Sequence, residues 1–358
     1  EDRRTSNLIW AKFLHRTTRP VDGVPDPHLH CHAVAFNATF DTSEGRWKAG
    51  QFGGIVRDKL YYQAAFHARL AGRLQELGYG VRRDGTSFAL EGIGRQTTAK
   101  FSRRTAQIEE AAARKGISDP QAKGELGRRT RERKAAGGSM AELRRGWGAR
   151  ISEAERSSLR AAAGASTSRE ELDTMQEASG AMGFAVAHSF ERASVVPERR
   201  LVAEALMQGV GTVRVGEVWD ALRSADVLRR PVGDEVLATT RAVYREEVTM
   251  LDFARRGRGQ CQRLGGSTPP VIDPGLSDEQ RHAAERMLAS RDRVIGLRGG
   301  AGTGKTRMMQ ATVHAIERAG RAVFTFAPSA KASRGVLREE GFATADTVER
   351  LLTDRELQ

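Results

Sequence analysis

The sequence predicts a multidomain protein: an α+β unit with an antiparallel sheet, then a helical accessory segment, then part of an α/β unit built around a phosphate-binding loop. Three observations carry this. At 358 residues the chain exceeds one ordinary hydrophobic core. A histidine-rich stretch, His28-Leu29-His30-Cys31-His32, lies towards one end, and the glycine-rich run Gly299-Gly300-Ala301-Gly302-Thr303-Gly304-Lys305-Thr306 towards the other. Small and polar residues at 161–171 mark a linker between them. The units are expected at 1–175, 176–265 and 266–358.

Charge narrows the partner. With 58 Lys plus Arg against 45 Asp plus Glu, the net charge is +13, a balance suited to a polyanion. A metal centre and a nucleoside triphosphate site in one basic chain point to an enzyme acting on DNA. The two cysteines, Cys31 and Cys261, provide no disulfide framework and fit a reducing compartment. No apolar run approaches the roughly 18 residues needed to span a bilayer, and residues 1–4 lead into no signal-peptide core. A cytoplasmic protein without membrane insertion is expected. The chain starts with Glu1 and ends without a polar tail, so it reads as an internal piece of a longer polypeptide.

Residues 6–15 and 29–40 are apolar enough for two strands, and the Pro-, Gly- and Asp-rich loop between them makes a β-hairpin. Alternation puts His28, His30, His32, Val34 and Phe36 on one face and Leu29, Cys31, Ala33 and Ala35 on the other. His15 closes the first strand and comes opposite the pair as a third imidazole. Neutral imidazoles add no negative charge, so a dication held there keeps its full charge for a phosphodiester oxygen. Mg²⁺ or Mn²⁺ is expected from phosphate chemistry; three imidazoles also accept Zn²⁺ and Ni²⁺.

Residues 56–77 read as an amphipathic helix with Val56, Leu60, Ala64, His67, Leu70, Leu74 and Leu77 recurring at helical spacing. Tyr61 and Tyr62 on it read as packing or phosphate-contacting residues. Gly78 ends the helix, and residues 79–83 and 88–90 form a hairpin around Asp84-Gly85. Residues 101–169 are rich in Ala, Arg, Glu and Gly, with basic runs at Arg128-Arg129, Arg131-Glu132-Arg133-Lys134 and Arg144-Arg145. Such runs serve equally as solvated helix faces or as phosphate clamps. Helical patterns follow at 185–199 and 201–221.

Further on, Ser277 caps a helix with Gln280 at its third position. An apolar strand at 294–297, the glycine loop, a helix at 306–319 and a second parallel strand at 322–327 then give the context of a genuine phosphate loop. Loop amides turn onto phosphates, Lys305 reaches the β and γ oxygens, and Thr306 binds Mg²⁺. ATP with Mg²⁺ is the expected cofactor.

The segment His15-Arg16-Thr17-Thr18-Arg19, followed by Asp26-Pro27-His28-Leu29-His30-Cys31-His32-Ala33-Val34 and Asn37, resembles the third motif of MobF-type conjugative relaxases, the TraI/TrwC family. The likeness continues through Gly45-Arg46-Trp47, Tyr61-Tyr62, Leu77-Gly78-Tyr79 and Phe101-Ser102-Arg103-Arg104. It implies a relaxase-type (HUH) domain with metal ligands His15, His30 and His32. His28 stands where that family usually has Gln, and Cys31 where it has Thr. The resemblance also implies tyrosine transesterification, in which a phenolate attacks one DNA phosphodiester and leaves a 5′-phosphotyrosyl link and a free 3′-hydroxyl. In that family the nucleophilic tyrosines precede the histidines, so the nucleophile is expected to be missing here.

Residues 185–221 resemble the small helical domain that opens RecD-like superfamily 1 helicases, and the later motifs resemble their RecA-like ATP-binding domain. Gln280 stands where those enzymes read adenine. The segment Pro328-Ser329-Ala330-Lys331-Ala332 resembles the motif that contacts the single-stranded DNA backbone, so Ser329 and Lys331 join Arg19 as expected DNA contacts. The chain stops before any acidic motif on a later strand, so ATP hydrolysis by this piece alone should fail. The whole implies a relaxase-helicase that nicks plasmid DNA at a transfer origin and unwinds it. Its partners would be single- and double-stranded plasmid DNA, with conjugation accessory and coupling proteins. The alternatives are a replication or repair helicase whose histidines hold a structural zinc, or a rolling-circle replication initiator.

Overall fold

The computed structural model describes residues 3, 5–130, 139–164, 174–266, 272–300 and 302–355. The basic run at 131–134, most of the linker at 161–171 and Ala301 lie outside the described residues. The chain forms two compact units, Glu1–Val243 and Tyr244–Gln358.

The first unit opens with the expected hairpin. Strand β1 (Trp10–Thr17) pairs antiparallel with β2 (Pro27–Ala35), in a register that sets His15 opposite His30 and Phe13 opposite His32. The strand expected at 29–40 is not continuous. The chain turns at Phe36–Ala38, where the Ala38 amide donates to the Phe36 carbonyl at 2.8 Å. A second hairpin, β3 (Thr39–Asp41) with β4 (Arg46–Lys48), follows. The Asn7 side chain fixes the turn by accepting from the Phe40 amide and donating to its carbonyl, both at 2.9 Å.

Helix α1 (Gly53–Arg57) leads into α2 (Lys59–Glu76), which Gly78 ends at φ +86°. The buried face of α2 differs from the expected stripe. Ala64 of that stripe is buried together with Ala65, Ala68 and Ala71, whereas Leu60 and Leu70 on α2, Val56 on α1 and Leu77 just past α2 are exposed. Small side chains win because another helix approaches this face closely, and only alanine leaves room for it. Strands β5 (Val81–Asp84) and β6 (Ser87–Leu90) form the expected hairpin. Five helices follow, α3 (Arg95–Lys100), α4 (Arg103–Arg114), α5 (Pro120–Arg129), α6 (Met140–Gly148) and α7 (Glu153–Gly164).

The segment expected to be purely helical is α+β. Helix α8 (Thr174–Phe190) is followed by β7 (Val196–Pro197), α9 (Glu198–Gln208), α10 (Val215–Ser224), β8 (Val227–Val232) and β9 (Glu235–Thr240). The strands form one antiparallel sheet in the order β7-β9-β8. The helix read over 185–199 stops at Phe190, and Pro197, which carries no amide to donate within a helix, serves with its extended backbone as the N-cap of α9. Gly233-Asp234 joins two β-branched runs as a two-residue hairpin turn. One core unites this segment with α2: Ala64, Ala65 and Ala68 share it with Met182, Leu201, Val202, Leu206, Val218 and Leu222.

Helix α11 (Arg241–Arg256) begins in the first unit and runs into the second, which then contains α12 (Asp278–Ala289) and α13 (Lys305–Arg318), β10 (Phe326–Ala327), a π-helix (Lys331–Leu337), β11 (Asp346–Thr347) and α14 (Val348–Thr353). Leu276, Ala284, Met308 and Ala311 make a core between α12 and α13. Strands β10 and β11 pair in parallel. The strand expected at 294–297 is not formed, and that expected at 322–327 is reduced to its last two residues. Val294, Ile295 and Leu297 are exposed; without a neighbouring strand such apolar residues have no ladder to join. Among the described residues, no helix is long and apolar enough to cross a membrane.

Candidate functional site

The hairpin register creates the histidine site. Because His15 and His30 are direct cross-strand partners and His32 lies two residues on, all three project from the same face. One ring nitrogen from each lies within 4.8 Å of the others. Ring centroids are separated by 5.2 Å for His15 and His30, 4.8 Å for His15 and His32, and 5.0 Å for His30 and His32. His30 Nδ1 is 2.9 Å from the His28 carbonyl oxygen. A carbonyl only accepts, so Nδ1 carries the proton and Nε2 keeps the lone pair that can ligate a metal.

His28 shares the strand face but lies outside the trio. Its ring stacks on His30 with centroids 4.6 Å apart. Burial, and secondarily the nearby His30, lowers its pKa below the ordinary imidazole value.

The histidines form one wall of a cleft of about 720 Å³. Arg16, Arg19 and Arg104 contribute cations to its lining, Ile108, Met140 and Leu143 contribute apolar surface, and among the described residues no carboxylate lines it. Arg104 is held by the end of α5, donating to the Gly127 carbonyl at 2.6 Å and the Thr130 hydroxyl at 3.0 Å. Arg19 is exposed. A cleft with four imidazoles, cationic rims and no acid among the described residues suits a bound cation together with a phosphate anion.

What holds this wall in place is a buried knot that the sequence reading did not single out. The Asp26 carboxylate accepts from Arg103 Nε at 3.0 Å, from the Arg103 amide at 3.3 Å, and from Arg150. The Asp26 and Thr18 backbones close the loop base, with Thr18 N–H donating to Asp26 O at 2.9 Å. Trp147 Nε1 donates to the Pro25 carbonyl at 2.9 Å. The available signal was Asp26-Pro27 just before the histidines in a chain with excess arginine.

Tyr61 and Tyr62 are engaged elsewhere. Trp219 Nε1 donates to the Tyr61 hydroxyl at 3.2 Å, and Arg199 stacks over both rings, 5.5 Å and 5.8 Å from their centroids. Arg199 also donates to Asp58 and, at 3.4 Å, to the Tyr62 hydroxyl.

In the second unit, Gly302 and Gly304 adopt φ of +74° and +71°, which lets the loop turn tightly into α13. Lys305 Nζ folds over the loop and donates to the carbonyls of Gly299, at 2.9 Å, and Gly300. Thr303 Oγ1 donates to the Gly300 carbonyl at 3.0 Å. Gln280 has two duties. Its Oε1 accepts from the Ser277 amide at 3.1 Å as part of the capping box, while its Nε2 donates to the Thr303 carbonyl at 3.0 Å. A Cβ on Gly304 would collide with this amide. Ser329, just ahead of the π-helix, accepts from the Ala332 amide at 3.2 Å, and Lys331 is exposed at the helix start.

Comparison with known families finds a different match in each unit. Residues 1–154 match the TrwC relaxase family. Beyond that relaxase segment, residues 275–357 match an AAA domain. The conjugal transfer protein TraA of Rhizobium radiobacter is 39% identical over 110 residues, 29% of this chain and 10% of TraA. The conjugative relaxase TrwC in complex with oriT DNA, in a metal-free structure, is 36% identical with a TM-score of 0.37, over 41% of this chain and 51% of that one. A metal-bound TrwC structure with oriT DNA is 35% identical with a TM-score of 0.37, over 41% and 50% of the two chains. The present chain thus spans about half of those TrwC chains and a tenth of TraA.

Proposed function

We propose that His15, His30 and His32 hold a divalent cation for nicking one strand of plasmid DNA at a transfer origin, in a polypeptide whose second unit begins an ATP-driven helicase motor. The carrying observation is the cross-strand register of His15 and His30 on the wall of a cleft that no carboxylate among the described residues lines. Mg²⁺ or Mn²⁺ bound there would polarise the scissile phosphodiester oxygen. Arg16 and Arg19 at the rim attract the DNA backbone and orient the phosphate towards the imidazoles. His30 offers Nε2 because the His28 carbonyl fixes its tautomer, and Asp26 holds the strand from which both residues project. The reaction class is tyrosine transesterification, giving a 5′-phosphotyrosyl link and a free 3′-hydroxyl. Neither Tyr61 nor Tyr62 is assigned as nucleophile, since their hydroxyls face Trp219 and Arg199.

In the second unit, a RecA-like, RecD-type ATP site is supported by the loop at 299–306, with Lys305 for the β and γ phosphates, Thr306 for Mg²⁺ and Gln280 for adenine. Ser329 and Lys331 are assigned to the single-stranded DNA backbone. Cytoplasmic single- and double-stranded plasmid DNA, with conjugation accessory and coupling proteins, are the proposed partners. A closed structural zinc would require a fourth protein donor, and among the described residues the cluster contains three histidines.

Calorimetry with Mn²⁺ on the His30→Ala variant tests the centre. The expected result is a loss of affinity of about 100-fold or more, since even outer partners of a ligand contribute 10- to 100-fold. Unchanged affinity removes His30 from the ligand set and with it the proposed chemistry.

A further inference from the structure

The segment from α8 to β9 has the connectivity of a winged helix: helix, short strand, two helices, then a two-stranded wing, with the short strand beside the last one in the order β7-β9-β8. In helix-turn-helix folds of this kind the second helix of the pair, here α10, enters the major groove. Fold alone assigns no function, so the surfaces must decide.

Helix α10 is unsuited to that task. Trp219 packs against Tyr61 of α2 with ring centroids 5.9 Å apart, and Val218, Ala221 and Leu222 are buried in the core. Its remaining surface carries Glu217 and Asp220, with Arg223 already paired to Asp220. Residues 174–243 contain nine acidic and eight basic side chains, so the segment as a whole provides no broad cationic face.

The wing differs. β8 is an edge strand whose residues from Arg229 to Val232 are all exposed. Arg229 is ion-paired with Glu198 at 3.8 Å, and among the described residues the Arg230 side chain has no ion pair or hydrogen bond. Consecutive strand residues point to opposite faces, so one ribbon directs a guanidinium to each side. A minor groove about 6 Å wide has a phosphate wall on each side of such a ribbon. Pro231 has no amide to donate, which disfavours addition of a protein strand along this edge.

We propose that residues 174–240 are a winged-helix unit that grips duplex DNA through its wing, with Arg229 and Arg230 on the two phosphate strands, while α10 serves as an internal brace against α2. This does not depend on the metal centre. The test is fluorescence anisotropy of the whole chain with a short duplex across a salt series. The Arg229→Ala/Arg230→Ala double variant is expected to weaken binding several-fold and to reduce the log–log salt slope by about one to two, the increment for two phosphate contacts. Arg230→Lys should retain the slope, and Arg223→Ala on α10 should leave affinity unchanged. An unaltered slope in the double variant overturns the proposal. So does an equal loss in Arg223→Ala, which would restore α10 as the reader, or an equal loss on a single-stranded oligonucleotide of the same length.

Discussion

The Asp26 carboxylate and the Arg103 guanidinium, 77 residues apart in sequence, meet at 3.0 Å beneath the histidine hairpin, and the carboxylate is only 1% exposed. Arg150 donates to the same carboxylate, so two cations share one buried anion at the base of β2. The position of the metal-facing strand thus depends on helices well downstream of it.

Asp26→Asn should therefore act on stability and on the site together. It leaves two guanidiniums, each about a quarter to a third exposed, without their shared anion. Breaking a fully buried pair costs 3–5 kcal/mol, and partial solvation of the arginines reduces this to about 2 kcal/mol. For a unit of this size that lowers the melting temperature by roughly 4–8 °C. Scanning calorimetry gives the temperature and Mn²⁺ titration the affinity; a thermal shift with unchanged metal affinity would show that the knot stabilises the fold without setting the site.

Lys305→Ala should reduce ATP affinity about 30-fold or more, the effect of truncating a charge that binds a phosphate. Mn²⁺ binding at the histidines should be unchanged. Parallel titrations with a fluorescent nucleotide and with Mn²⁺ measure both, and joint loss would contradict independent sites.

Gln280→Glu separates capping from loop binding. A carboxylate oxygen still accepts from the Ser277 amide, but it cannot donate to the Thr303 carbonyl. Nucleotide affinity should fall about five-fold, the net contribution of one hydrogen bond, with little change in melting temperature. Unchanged affinity would assign Gln280 to the cap alone.

Acid stability should have an identifiable contributor in Glu155. The Lys100 ammonium at 2.7 Å, followed by the Ser152 amide, draws its carboxyl from 4.5 to about 2. A depressed carboxyl stabilises the fold above its unfolded pKa, and that contribution disappears as pH falls from about 4.5 through about 2. Glu155→Gln should flatten this part of a circular-dichroism acid titration; a curve matching the parent would exclude Glu155 as a source of acid lability.

The histidine site was legible because strand alternation has a strict period of two, so any antiparallel pairing that puts His15 opposite His30 also brings in His32. The glycine loop was legible because only glycine readily takes the positive φ found at Gly302 and Gly304. The buried face of α2 was not. Hydrophobicity favours Leu60 and Leu70 over Ala65 and Ala68, yet close helix packing selects size over apolarity. The β8–β9 hairpin had its β-branched runs and Gly233-Asp234 turn in view, but a helical resemblance took precedence. The strand expected at 294–297 shows the converse limit, since an apolar run specifies a strand only when another lies alongside.

The alanine face of α2 also determines where the chain can be cut. A truncation placed just beyond the relaxase match would strip α8 and α9 from Ala64, Ala65 and Ala68 and open a shared interior to water. Expression boundaries intended to yield a soluble histidine-bearing piece therefore belong after β9, and limited proteolysis should release that larger piece in preference to a shorter one.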